Sequence, residues 1–131
     1  MSEHAELDLP LSARYATTVR AVAASMAATI SMSIDDIDDL RLGVNEAISV
    51  LTDVDDVDDD ASDPGRRLHV RFQVDLDRIR LIASRHGVED PVSVELDGLA
   101  ERILGAVVDE YSVDHTGEFT LVKQVSADGD S

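Results

Sequence analysis

The sequence predicts an α/β sandwich of two layers, in which three helices pack on one face of a mostly antiparallel sheet of about five strands. Two long segments space their apolar residues at i, i+3 and i+4, as amphipathic helices do. Shorter segments alternate apolar and polar residues, as half-buried strands do. Their order along the chain is strand, helix, helix, strand, strand, helix, strand, strand, which places the helices together in one layer.

The first half of the chain predicts an edge strand and two helices. Residues 6–11 alternate weakly, and Pro10 limits that strand. A helix follows from Ser12 to about Ser31, and Ser33 has the position of the N-cap of the second helix, with Asp36 at the capping-box position. The apolar face of the first helix consists of Ala16, Val19, Val22, Ala23, Met26, Ala27 and Ile30. That of the second consists of Ile37, Leu40, Val44, Ala47, Ile48 and Leu51.

An acidic run follows, with seven aspartates between positions 53 and 63. Like charges at this density oppose compaction, so we expect a solvated loop. A calcium loop beginning at Asp56 is the alternative, and the pattern argues against it. Ala61 stands where the tight turn needs glycine, and Arg67 stands where a bidentate glutamate belongs.

The second half predicts two hairpins around a third helix. Residues 68–74 and 79–83 alternate and are joined by a short link, which favours an antiparallel pair. A loop is expected from Arg85 to Pro91, and then a helix from about Val94 or Leu96 to Val108. The last hairpin turns near Thr116 and Gly117 and ends near Val125. We expect a single domain over residues 1–126 and a disordered polar tail over 127–131.

Charge limits the classes of partner. The chain has 28 acidic and 11 basic residues, a net charge of −17. Such a surface repels nucleic acid and anionic membranes and favours basic partners. Adaptation to salt and simple solubility are the alternative explanations of this charge.

Composition also bears on metals and localisation. The chain has no cysteine, so no disulfide or thiolate metal site is expected. Its histidines have no metal-ligand spacing, and a loop histidine such as His86 is interpreted as a polar loop residue. No apolar run reaches about 18 residues, and the N-terminus lacks signal-peptide features. We therefore expect a soluble cytoplasmic protein.

Three segments carry a resemblance to a known family. They are Asp39-Leu40-Arg41-Leu42-Gly43-Val44-Asn45-Glu46-Ala47, the stretch 98–110 that begins Gly98-Leu99-Ala100, and Phe119-Thr120-Leu121-Val122-Lys123-Gln124-Val125. In this order they resemble the N-box helix, the nucleotide-site helix and the last strand of the anti-sigma factor and serine-protein-kinase family. That family belongs to the GHKL superfamily, so the resemblance implies the histidine-kinase-like ATPase fold over about residues 9–125.

The resemblance assigns Glu46 to the family's catalytic base, which activates or orients water. The family's magnesium ligand is an asparagine four residues later, and here that position is Val50, whose isopropyl group offers no oxygen to a hard cation. Asn45 points about 100° away on a helix and cannot replace it. The alternative interpretation of Glu46 is an ordinary exposed or half-buried helix acid.

The nucleotide-contacting positions have also changed. Where the family has an adenine-binding aspartate in a D-x-G-x-G motif, this chain has Arg85, which only donates hydrogen bonds. Gly87 matches the first glycine of that motif, but Glu89 replaces the second. In the segment that closes the site, Gly98 and Leu99 match the family, and alanine replaces the next glycine. We therefore treat Gly87, Gly98 and Leu99 as vestigial nucleotide-site residues and expect no cofactor and no bound metal.

The resemblance then implies an anti-sigma regulator that binds and sequesters a sigma factor, and that an anti-anti-sigma protein would release. It also allows a homodimer. The alternative is an active serine kinase that phosphorylates an anti-anti-sigma protein with ATP and magnesium. A third hypothesis is an acidic domain of this fold that binds some other protein.

Overall fold

The computed structural model describes residues 3–52, 65–87 and 96–126 and confirms the two-layer α/β sandwich. Five strands form one antiparallel sheet in the order β1-β2-β3-β5-β4. The elements are β1 (Glu3–Pro10), α1 (Ala16–Thr29), α2 (Ile34–Thr52), β2 (Arg67–Val74), β3 (Arg78–His86), α3 (Gly98–Val107), β4 (Glu110–Val113) and β5 (Phe119–Gln124). A short 3-10 helix, Ala13–Tyr15, precedes α1.

Strand boundaries differ from the sequence prediction where pairing extends them. β1 begins at Glu3, three positions before the predicted start, because it pairs with β2 from Glu3 opposite Val74 to Pro10 opposite Arg67. β3 continues to His86, so the prediction of a loop beginning at Arg85 is wrong. Strand β2 continues the ladder, with Arg67 opposite His86.

The core lies between the helices and one face of the sheet. On α1 it uses small residues such as Ala23 and Ala27, which allow close approach. Gly43 allows α2 to pack closely against Val108, the residue after α3. A β-carbon at Gly43 would lie 2.6 Å from Cγ1 of Val108. The largest fully buried side chains include Phe72, Phe119, Leu40, Ile48, Leu51, Leu68, Leu81, Leu104 and Leu121.

The opposite face of the sheet is polar and rich in basic side chains. The alternation of buried and half-buried residues in β2 and β3 assigns to it Arg67, His69, Arg71, Arg78, Arg80 and His86. His69 and His86, from neighbouring strands, meet edge to face with ring centroids 5.8 Å apart. The predicted loop residue His86 is therefore a strand residue, and its Nε2 lies 3.2 Å from Ser84 Oγ.

Much of the acidity belongs to segments outside the described residues. Seven acids occur in 53–63, three in 88–95 and two in 127–131, while all 11 basic residues are described. The described part therefore has 16 acids against 11 basic residues. The expected solvated loop at 53–63, the replacement Glu89 and the expected disordered tail lie outside the described residues.

Candidate functional site

The four residues that the sequence resemblance assigns to the family's site lie on or directly beside three elements. Glu46 is half-buried on α2, Gly87 directly follows β3, and Gly98 and Leu99 begin α3. Leu99 is 66% exposed, and within the described residues no atom lies within 4 Å of a β-carbon built on Gly98. None of the four lines either of the two cavities described below.

Gly87 has a structural reason to be glycine. Its φ is +77°, in the left-handed region that residues with a side chain rarely adopt. A β-carbon there would also overlap the carbonyl oxygen of Gly65. Gly87 is thus required by the approach of two backbone segments at the end of the β2–β3 pair, whether or not a ligand binds nearby.

Val50 and Arg85 are the residues that the sequence resemblance aligns with the family's magnesium and adenine positions. Val50 is half-buried on α2, one helical turn after Glu46. Arg85 stands opposite Leu68 in the β2–β3 ladder and is partly buried. Burial lowers the pKa of the Arg85 guanidinium from its ordinary value, because the charged form loses hydration. A partly desolvated guanidinium still has no acceptor to offer an adenine amino group.

A groove of about 380 Å³ opens on the outer surface of the helical layer, between α1 and α2. We call this feature the helical groove, and it is lined by Arg20, Asp38, Arg41, Leu42 and Asn45. Arg20 Nη1 donates to Asn45 Oδ1 over 2.5 Å, and Nη2 donates to Thr17 Oγ1 over 3.1 Å. The Arg20 guanidinium is therefore held in place before any partner arrives.

The helical groove combines apolar and charged surface. Leu42 is 53% exposed. The guanidinium of Arg41 and the carboxylate of Asp38 are 3.9 Å apart and exposed, so this ion pair is weak. Ile34, 78% exposed, lies eight residues before Leu42 on α2, about 12 Å along the helix axis and about 80° around it. This arrangement suits a protein segment that brings an apolar side chain to Leu42 and a carboxylate to the guanidiniums.

A buried ion cluster lies where α2 begins and β5 ends. Lys123 Nζ lies 3.8 Å from Asp36 Oδ1 and 3.6 Å from Asp39 Oδ2. Asp36 Oδ2 accepts from the Ser126 backbone N–H over 3.0 Å, and Oδ1 accepts from Ser126 Oγ over 2.9 Å. Ser33 Oγ accepts from the Asp36 N–H over 3.1 Å, which confirms the predicted N-cap.

The cluster favours the ionised form of Asp36. Burial opposes ionisation, but the hydrogen bonds from Ser126, the charge of Lys123 and the contact with Ser33 outweigh it, and the pKa of Asp36 lies below its ordinary value. Sequence reasoning missed this cluster. Lys123 could have indicated it, because Lys123 follows Phe119 and Leu121 at the inward-facing positions of the strand. A lysine at such a position requires acidic partners.

A second cavity, of about 180 Å³, lies on the polar face of the sheet. It is lined by Arg80, Glu110, Tyr111, Ser112, Thr120 and Val122. The part of the chain that the structure describes contains no group of three or more histidine, cysteine or acidic residues arranged to hold a metal ion. Its helices include none long and apolar enough to cross a membrane.

In comparisons with known proteins, no family model matches this chain. No curated protein matches it either.

Proposed function

We propose that this chain is an anti-sigma regulator, which binds and sequesters a sigma factor and has a nucleotide site that does not function. The observation that carries the proposal is the helical groove, an exposed apolar and charged surface on the layer opposite the sheet. The three segments that resemble the anti-sigma family supply the class of partner.

The groove has the chemistry of a protein-binding surface. Exposed Leu42 and Ile34 offer apolar area that a partner would remove from water. Arg20 is already fixed by Asn45 and Thr17, so less side-chain entropy is lost when it engages a carboxylate. A polar rim around an apolar centre is the usual anatomy of such contacts.

Charge supports a basic partner at longer range. The net charge of −17 would attract a basic protein to the chain as a whole, and sigma factors expose basic DNA-binding surfaces. Asp38, which lines the groove, and Asp35, three residues before it at the start of α2, are both exposed. Steering raises the association rate more than it raises affinity.

Loss of nucleotide chemistry is supported by the residues at the family's positions. Val50 supplies no oxygen ligand, Arg85 supplies no acceptor, and Leu99 at the start of α3 is largely exposed. The alternative, an ATP-dependent serine kinase, is favoured by Glu46, which is half-buried one turn from Val50. An anti-anti-sigma protein is a second partner under either function, and a homodimer is compatible with both.

The experiment is a pull-down from native cell extract with bound proteins identified by mass. We compare the unmodified chain with Arg20→Ala and with Arg102→Ala, a control on the exposed surface of α3. We expect a sigma factor or an anti-anti-sigma protein with the unmodified chain and the control, and a marked loss with Arg20→Ala. A pull-down that contains neither class of partner contradicts the proposal, and capture of some other protein favours the third hypothesis.

A further inference from the structure

The buried cluster around Lys123 includes Asp36, which lies on α2 two residues before Asp38, a residue that lines the helical groove. Lys123 faces inward from β5, in line with the core residues Phe119 and Leu121, and it is only 9% exposed. Burial of an ammonium group is costly unless carboxylates and hydrogen bonds compensate it. Asp36 and Asp39, both in the first two turns of α2, provide that compensation.

Ser126 extends the cluster beyond the end of the sheet. It lies two residues after β5, and both its N–H and its hydroxyl donate to the carboxylate of Asp36. The N–H of Asp36 in turn donates to Ser33 Oγ. The chain just after β5 is therefore tied to the first turn of α2 by two hydrogen bonds, and Lys123 within β5 adds an ion pair.

The first turn of α2 is followed at once by a residue that lines the helical groove. Asp38 lines the groove and lies two residues after Asp36, and exposed Ile34 lies two residues before it. Farther along α2, Gly43 packs against Val108 and anchors the middle of the helix. Leu40 also anchors the early part of α2 in the core, and the cluster adds a polar attachment between the first turn and the end of β5.

We infer that Lys123, Asp36 and Ser126 act as positioning residues for partner binding, since they hold the first turn of α2, and with it Ile34 and Asp38, in the binding geometry. The inference rests on the proposed function for the identity of the partner. The end of β5 then has a regulatory role. Any change that moves Ser126 away from Asp36 makes the first turn of α2 more mobile, although Ser126 itself does not line the groove.

The test uses the full chain and needs no partner for its first part. Hydrogen exchange, followed by NMR, is measured at the amides of residues 37–40 and of residues 44–48 in α2. The variants are Lys123→Met, Ser126→Ala and the conservative Ser126→Thr, with Gln124→Ala as a matched exposed control on the same strand. Gln124→Ala keeps the backbone N–H that donates to Asp109.

We expect exchange at residues 37–40 to accelerate about tenfold in Ser126→Ala and more in Lys123→Met, while residues 44–48 stay protected. Ser126→Thr, which keeps a hydroxyl, and Gln124→Ala should behave as the unmodified chain. Equal acceleration in both segments, or none in either, overturns the inference. Ser126 is exposed, so its substitution keeps the test informative if Lys123→Met fails to fold.

The second part measures affinity for the sigma factor or anti-anti-sigma protein identified by pull-down. Ser126→Ala should weaken binding about three- to tenfold, and Ser126→Thr should restore it. Unchanged affinity in Ser126→Ala overturns the positioning role. A chain that shows the expected exchange pattern but captures neither partner contradicts the proposed function, so the two failures are distinguishable.

Discussion

Gly87 passes so close to Gly65 that a β-carbon on Gly87 would overlap the carbonyl oxygen of Gly65. The contact joins the residue after β3 to the residues that lead into β2, and it coincides with a φ of +77° at Gly87. A glycine that matched a nucleotide motif by sequence therefore has a sufficient reason in the backbone alone.

Gly87→Ala should destabilise the protein by at least about 2 kcal/mol, since both the left-handed conformation and the backbone overlap oppose a methyl group. Gly98→Ala is the matched comparison, because the space around Gly98 is open and alanine is the better helix former. We expect its effect to stay within about 0.5 kcal/mol. Urea unfolding of both variants measures the difference, and equal effects would contradict this account of Gly87.

ATP should bind weakly or not at all, and no hydrolysis should be measurable. Val50 leaves the triphosphate without a magnesium ligand, and Arg85 leaves the adenine amino group without an acceptor, which costs roughly 1–3 kcal/mol. Isothermal calorimetry with ATP and magnesium measures this. The double variant Val50→Asn, Arg85→Asp should gain affinity if the alignment with the family is right. If the unmodified chain binds ATP with micromolar affinity, the nucleotide site is functional and the serine-kinase alternative is favoured over the proposed function.

Acid should remove the stability that the cluster around Asp36 contributes. The pKa of Asp36 is lower in the folded chain than its ordinary value of 3.8, so its contribution is complete above that value and is lost as pH falls through 3.8 toward the folded pKa. Asp39, Lys123 and Ser126 surround it. Asp36→Asn should cost about 1–3 kcal/mol at pH 7.

The Asp36→Asn deficit should shrink as the unmodified chain is acidified below about pH 4, because the unmodified carboxyl then becomes neutral too. Asp38→Asn is the control, since the Asp38 side chain is 61% exposed and its pair with Arg41 is loose. Urea unfolding across pH 3 to 7 provides the measurement. A deficit that is constant over this range would show that charge at Asp36 does not contribute.

Under the proposed function, association with a sigma factor should slow about tenfold or more between about 0.05 M and 0.5 M salt, because ions screen exposed charges beyond about 10 Å at 0.1 M. Dissociation should change much less, since contacts in the helical groove are short-range. Stopped-flow kinetics separates the two rates. An association rate that is independent of salt would remove the electrostatic part of the proposed function.

Local pattern was sufficient for the helices and most strands, because side-chain periodicity follows directly from helix and strand geometry. The face of α2 that carries Leu40, Val44 and Leu51 was predicted and is fully buried. The extension of β3 to His86 was missed, because that part of the strand is stabilised by pairing with Arg67 rather than by its own alternation. For Glu46, Gly87, Gly98 and Leu99, the sequence resemblance suggested roles in a nucleotide site, but it did not predict where these residues lie in the fold.

The sequence by itself determined the α/β class, the amphipathic helices, the N-cap at Ser33 and the absence of cysteine chemistry, because each depends on neighbouring residues or on composition. The tertiary structure alone decided that Lys123 meets Asp36, that His69 meets His86 and that Arg20 meets Asn45. The partners in these contacts are separated by 17 or more residues, so each contact forms only when two separate elements pack or pair: β2 with β3, α1 with α2, and α2 with β5.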